Sequence, residues 1–597
     1  MSGFVHHPPG GARLLAENET GFRLWAPGCD AVFLEIEGQP PLAMARTRDG
    51  WFETVAYCGA GARYRYRVAP ELAVPDPCSR FQPEDVHGPS EVIDPRAYSW
   101  QHADRRGRPW HETVICELHA GLCGGFEGVK ALLPSLAEAG YTAIELMPVA
   151  DFAGTRNWGY DGVLPYAPDS AYGRPEQLKA LIDAAHGLGL MVFLDVVYNH
   201  FGPEGNYLNA YAPPFFREDL HTPWGAAIDF RQRAVRDYFI GNALYWLQEY
   251  RFDGLRLDAV HAISDPDFLD ELAATVRRHV EPGRQVHLML ENEHNVARHL
   301  EPGGGYDAQW NDDGHNALHV LLTGETEGYY GNYAEKPVLH LARVLAEGFA
   351  YQGEPSPSHD GQTRGTRSAH LPPTAFILFL QNHDQIGNRA FGERLSTLAD
   401  PAALRAATVL QLLIPQIPLC FLGEERGSRT PFLFFTDFHG DLADAVREGR
   451  RREFAKFPVF TDEQARARIP DPNDAATFER CRLEADEVLL PAQREQAALF
   501  LQLLRLRRER LVSRLPGCTS LGAAALGSHA VSARWQLGDG ARLFIAANLG
   551  TEAVELRPWP QAEQLPPLFE TAPGVAAEVA HGRLPPQSAC VLIEEPA

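Results

Sequence analysis

Two spacings of apolar residues alternate along the middle of the chain. TVICELHA (113–120), YTAIELMPV (141–149), LMVFLDVVYNH (190–200) and FDGLRLDAVH (252–261) carry short apolar runs with the length and residue types of buried strands. VHLMLENEH (286–294), TAFILFLQNHD (374–384) and IPLCFLGEE (417–425) continue the series, and YDAQW (306–310) is strand-like. Between them, LLPSLAEAG (132–140), EQLKALIDAAHGLG (176–189) and AVRDYFIGNALYWLQEY (234–250) place apolar residues three and four apart, which predicts helices. A strand followed by a crossover helix returns parallel to its neighbour. About eight such strands in roughly 400 residues predict an α/β fold, a (β/α)8 TIM barrel with insertions over residues 111–513. A doubly wound open sheet is the rival, but no GxGxxG follows the first strand.

The flanks read differently. GFRLWAP (21–27), AVFLEIEG (31–38), WFETVAYC (51–58) and ARYRYRVA (62–69) are β-prone runs broken by Gly, Pro and Asp. They predict an N-terminal β-sandwich over residues 1–88, joined by a turn-rich connector, 89–110. PAQREQAALFLQLLRLRRERLVS (491–513) predicts a helix closing the barrel region. ARWQLG, ARLFIAANLG, AVELRPW and SACVLIEE predict an all-β C-terminal domain over residues 514–597.

Composition excludes several functions. The 597 residues are 45% hydrophobic and 22% charged, ordinary for a globular protein. No apolar run is long enough to cross a bilayer, so no membrane partner is expected. The first residues lack a basic stretch followed by an apolar core, which leaves the cytoplasm as the expected location. A net charge of −24 repels phosphate backbones and argues against nucleic acid. Nine cysteines without CxxC spacing read as small buried thiols. With no HExxH stretch and no EF-hand loop, neither a metal nor a cofactor is expected. Oligomeric state is not encoded in any pattern, and a monomer is the default.

The polar residues of the barrel region gather at the C-terminal ends of its apolar runs. DVVYNH supplies Asp195, Asn199 and His200, and GLRLDAVH supplies Arg256, Asp258 and His261. LMLENEH supplies Glu291, and FLQNHDQ supplies Asn382, His383, Asp384 and Gln385. In a barrel these ends converge on one face. Side chains alternate along a strand, so Arg256 and Asp258 point the same way. Carboxyls crowded together cannot all ionise cheaply, so at least one pKa rises. A raised acid beside an ionised carboxylate suits glycosidic cleavage, and Arg256 would keep its neighbour charged. Trp158, Tyr160 and Asp161 of NWGYDG are expected to contact a sugar, its apolar face stacking on the rings. Asp313 and His315, just after YDAQW, are expected to touch substrate, and FFTDFHG (434–440) to wall the leaving-group side.

DVVYNH, GLRLDAVH, the Glu291 run and QNHD, in that order, resemble the four signature regions of the α-amylase family, glycoside hydrolase family 13. The resemblance implies a retaining mechanism, with Asp258 the nucleophile, Glu291 the general acid/base and Asp384 the carboxylate that stabilises the transition state. It also implies that Asp195, His200, Arg256 and His383 line the subsite of the attacked sugar. NWGYDGVLPYAPDSAYG, DAQWNDDGHNALH, LLTGETEGYY, QNHDQIGNRAFGERL, TPFLFFTDFHG and GRRREF narrow the resemblance to the trehalohydrolase branch. Members of that branch cut the α-1,4 bond next to the terminal trehalose of maltooligosyltrehalose. Such a member implies α-1,4-glucans as ligands and maltooligosyltrehalose synthase as pathway neighbour. The N-terminal domain resembles the carbohydrate-binding-like domains of debranching and branching enzymes. Cys116, Arg426, Gly314 and Asn316 depart from the branch, the last two replacing bulkier residues. The same-class alternative is a debranching or branching enzyme acting on α-1,6 linkages, and the different-class one a non-catalytic glucan-binding protein.

Overall fold

The computed structural model describes residues 4–222, 225–359, 361–483, 489–556 and 565–596. At its centre eight parallel strands close into a barrel. In chain order they are β1 (Ile115–Leu118), β2 (Ala143–Leu146), β3 (Met191–Val196), β4 (Gly254–Leu257), β5 (His287–Leu290), β6 (Ala308–Trp310), β7 (Phe376–Phe379) and β8 (Ile417–Phe421). The helices include α1 (Gly125–Ala139), α2 (Pro175–Gly187), α3 (Arg233–Gln248), α4 (Asp267–His279), α5 (Asp312–Thr323), α6 (Pro401–Leu413) and α7 (Pro491–Leu506). The TIM barrel expected from the alternating spacings is therefore the observed fold.

Local chemistry fixes several boundaries. Pro401 opens α6 behind Asp400, whose carboxylate accepts from the N–H groups of Ala402 and Ala403. Asn311 caps α5 by accepting from Gly314 N. Ile115, Met191, Phe193, Met289, Trp310, Ile377 and Leu419 fill the barrel interior, so it is a packed core. β4 stops at Leu257, one residue before Asp258, yet the Asp258 N–H still reaches Val196 O (3.0 Å). The extended geometry thus carries Asp258 to the barrel mouth. Ala259 then adopts φ +40°, which turns the chain out of the strand.

The N-terminal region forms two sheets. One orders Gly11–Ala16, Glu19–Trp25, Trp51–Ala56 and Ala45–Arg46; the other runs Leu42–Ala43, Phe33–Ile36, Arg63–Ala69 and Leu72–Val74, with Ser90–Glu91 also paired to Arg63–Ala69. Phe22, Leu24, Leu34, Phe52, Tyr64 and Tyr66 are buried between strands of both. Arg80, beyond these strands, forms a buried ion pair with Glu249 just past α3 (3.1 Å), and Lys179 of α2 lies 3.6 Å from the same carboxylate. The His6 N–H also donates to Glu249.

After α7, a five-stranded sheet orders Thr519–Leu526, Ala530–Gln536, Arg542–Asn548, Ser588–Glu594 and Pro567–Glu570. Of the AVELRPW stretch, Val554–Glu555 is a short strand, while residues 557–559 lie outside the described residues. Among the described residues no helix is long and apolar enough to cross a membrane. All nine cysteines are free and eight are buried.

Candidate active site

The C-terminal ends of the strands surround a cavity of about 490 Å³. Its lining includes Asp258, Glu291 and Asp384, with Trp158, Tyr160, His200, His261, Trp310, Asn382, His383 and Gln385. Three carboxyls from the ends of β4, β5 and β7 thus share one space.

Arg256 organises the floor. β3 and β4 pair with Asp195 opposite Arg256. The fully buried guanidinium donates from Nη1 to Asp195 Oδ2 (2.7 Å) and Asp258 Oδ1 (2.8 Å), and Nη2 lies 3.0 Å from Glu291 Oε2. Trp310 lies 4.2 Å beneath it. Asn199 Nδ2 donates to Asp258 Oδ2 (2.9 Å), and the Ala259 N–H donates to Glu291 Oε2 (2.8 Å).

The two central carboxyls are driven apart. Burial pushes Asp258 up, but Arg256, His200 and Asn199 outweigh it and hold the group below the ordinary aspartate value. Burial pushes Glu291 well above the ordinary value; Arg256 opposes this, while the charges of Asp258 and Asp384 add to it. Two carboxyls on the same guanidinium are therefore shifted in opposite directions. Burial also raises Asp195 to about 6, and Tyr160 donates to it (2.6 Å).

β1 contributes a residue that the sequence reading left without a role. Glu117 Oε2 accepts the His383 N–H (2.9 Å), and Oε1 meets the ring Nδ1. The two residues are 266 positions apart and meet because the barrel closes β1 onto β8 beside β7. The ring stacks on Tyr160 (centroids 5.0 Å apart), with Nε2 3.7 Å from Asp384 Oδ1. Glu145 of β2 pairs in register with Glu117; neither of its oxygens has a hydrogen-bond partner, and burial holds it well above the ordinary glutamate value.

Two family models match the chain: "Alpha amylase, catalytic domain" over residues 92–214 and a domain of unknown function, DUF3459, over 518–591. A malto-oligosyltrehalose trehalohydrolase of Deinococcus radiodurans is 41% identical over 508 residues, covering 84% of this chain and 82% of that protein. The chain belongs to the malto-oligosyltrehalose trehalohydrolase family. Its counterpart from Saccharolobus solfataricus is 41% identical over 454 residues, 74% of this chain and 79% of that one. A crystal structure of a protein from Salmonella typhimurium superimposes with a TM-score of 0.92 at 43% identity, covering 99% of this chain and 100% of that one.

Not every residue expected at the trehalohydrolase site reaches the cavity. Asp195 and Arg256 form the floor beneath its lining. Asp161 is turned back to accept from Asn157 Nδ2 (2.7 Å). Asp313 and His315, also expected to touch substrate, lie behind the wall and do not line the cavity. Asp313 is 1% exposed and accepts from Asn295, Arg364 and the Ala350 N–H. His315 meets Leu380 O (2.8 Å) and Tyr330 OH (3.2 Å). The HNALH spacing puts His319 one turn further on, its Nε2 on Glu325. Of FFTDFHG, Phe434 edges against Trp158, whereas Phe435 and Phe438 are buried and Asp437 binds Thr155. The cavity instead draws Asp312, Asn316, Tyr329, Tyr333 and Arg364 from α5 and the segments after it.

Glu117 has a readable consequence. Burial lowers His383, but Glu117 and then Asp384 overcome it and lift the ring to about 9. The protonated ring is therefore kept through neutrality and lost as pH rises through about 9. Glu117→Gln should move the alkaline limb of kcat/KM to lower pH, because burial then dominates. A pH–rate profile with an unshifted limb would contradict this assignment.

Proposed function

We propose that this enzyme is a retaining glycoside hydrolase that cleaves the α-1,4 bond beside the terminal trehalose of maltooligosyltrehalose. Asp258 attacks the anomeric carbon as Glu291 passes its proton to the departing oxygen of trehalose. Asp384 accepts hydroxyls of the attacked ring, and His200 and His383 border it. Water then attacks the glycosyl–Asp258 ester, Glu291 takes the water's proton back, and a maltooligosaccharide leaves.

The opposed protonation of Asp258 and Glu291 on one guanidinium carries this reading. Both carboxyls bind adjacent arms of Arg256, which supports the short spacing, about 5–5.5 Å, of retaining enzymes. The choice of linkage rests on the named relatives. The free cysteines fit a reducing compartment and support the cytoplasm. A site built entirely from one chain fits a monomer, and a synthase that makes the trehalose cap would supply the substrate.

Product analysis tests the proposal. Incubated with maltotetraose bearing a terminal trehalose, the enzyme should release trehalose; with a branched glucan it should release little. Preferential cleavage of α-1,6 branches would assign it to debranching, and tight binding without turnover would make it a glucan-binding protein.

A further inference from the structure

Where the N-terminal module meets the connector, a separate cavity of about 280 Å³ shares no residue with the catalytic one. His7, Arg13, Arg80 and Arg96 line it, and no acidic residue does. Arg80 gathers the walls. Its guanidinium donates to His6 O (2.7 Å) and Ala12 O (3.2 Å) while it pairs with Glu249. The residues that follow those two carbonyls are His7 and Arg13, so both are held beside the same cation. Arg96 reaches the cavity from the connector.

Charge at this spot does not balance. Glu249 answers Arg80, and Asp94 answers Arg96 through Nε (3.1 Å). Among the described residues Arg13 has no carboxylate within ion-pair distance. His7 registers the excess: burial holds its ring below the ordinary histidine value, and the like charges of Arg13 and Arg80 push it the same way, with Glu249 opposing. The chain as a whole carries −24, so guanidiniums gathered around a hollow run against the field of the rest of the protein.

A phosphate monoester has the complementary chemistry. It carries nearly two negative charges at neutral pH and three strong acceptor oxygens, which forked guanidiniums bind in pairs. His7, Arg13 and Arg96 are exposed, so a solute can reach them. Leu14 and Pro95 supply apolar wall for a small organic group behind the phosphate. The volume suits a small molecule rather than a polymer, and the net charge repels polyanions.

We propose that this cavity binds a small phosphate monoester, held by Arg13, Arg96 and His7 with the buried Arg80 behind them. Such a ligand joins the first strand of the N-terminal module to the connector, and it stabilises that junction.

The test is calorimetric titration of inorganic phosphate and of glycerol 3-phosphate into the whole enzyme at roughly pH 8, where both are dianions. Glycerol, and chloride at matched ionic strength, are the controls. Both phosphates should bind with a Kd of about 1 mM or tighter and raise the thermal midpoint, and neither control should. Arg13→Gln and Arg96→Gln should each weaken binding about tenfold, the loss of one charge-assisted hydrogen bond, and together abolish the midpoint shift. Both side chains are exposed, so the unliganded midpoints should match that of the parent. Tighter binding of glycerol 3-phosphate than of inorganic phosphate would extend the site to the organic group. Binding of inorganic phosphate alone, an equal response to chloride, no heat from either phosphate, or unchanged affinity in the double variant would each overturn the proposal.

Discussion

Asp258→Ala should leave a folded enzyme whose turnover drops on the order of 10⁴-fold or more, the scale of losing a covalent nucleophile. The fold survives because Arg256 keeps two carboxyl partners, Asp195 at 2.7 Å and Glu291 at 3.0 Å. The alanine opens space below the anomeric carbon, so added azide should restore part of the rate by attacking from that side. The product would be a glycosyl azide of inverted configuration, read by chromatography and coupling constants. Wild-type turnover, or rescue without the azide product, would remove Asp258 from the nucleophile's role.

Arg256→Leu should harm both stability and rate. It strands Asp195 and Asp258, which are 2% and 9% exposed, without the cation that pairs them. Removing one partner of a buried ion pair costs about 3–5 kcal/mol. Asp258 also loses its strongest stabilising charge, so its pKa climbs and the nucleophile protonates at a higher pH. The sign follows from a depressed carboxylate, whose benefit is present above its unfolded value and lost as pH falls through the folded one. The acid limb of kcat/KM should therefore move to higher pH, with a lower calorimetric midpoint. Arg256→Lys should recover part of the stability but little of the rate, because one ammonium cannot bridge three carboxyls as a planar fork does. A Leu variant with both readouts unchanged would show that the floor does not depend on this cation.

The carboxylates were legible because each closes an apolar run, and a barrel brings such ends together whatever the loops do. The α5 wall was misread for a physical reason. Asp313 and His315 are two residues apart, a pair that shares a face only on a strand. The segment is a helix from Asp312, capped by Asn311, so the face toward the cavity carries Asp312 and Asn316 instead. The Asn cap and the apolar residues Ala317, Leu318, Val320 and Leu321 were the signals for it. Glu117 could not be paired with His383 by any local rule, since only closure of the barrel makes them neighbours.

Glu249 ties the first module to the second. It is 1% exposed and answers to Arg80 from one and Lys179 from the other. Removing residues 1–88 would take away Arg80 and the His6 N–H together and leave Lys179 facing this anion. Swapping in the equivalent module from a relative would succeed only if the donor brought an arginine to the same spot. The leading β-sandwich is in this sense a keystone of the barrel's flank, and a chimaera designed as though it were a detachable accessory should misfold at that seam.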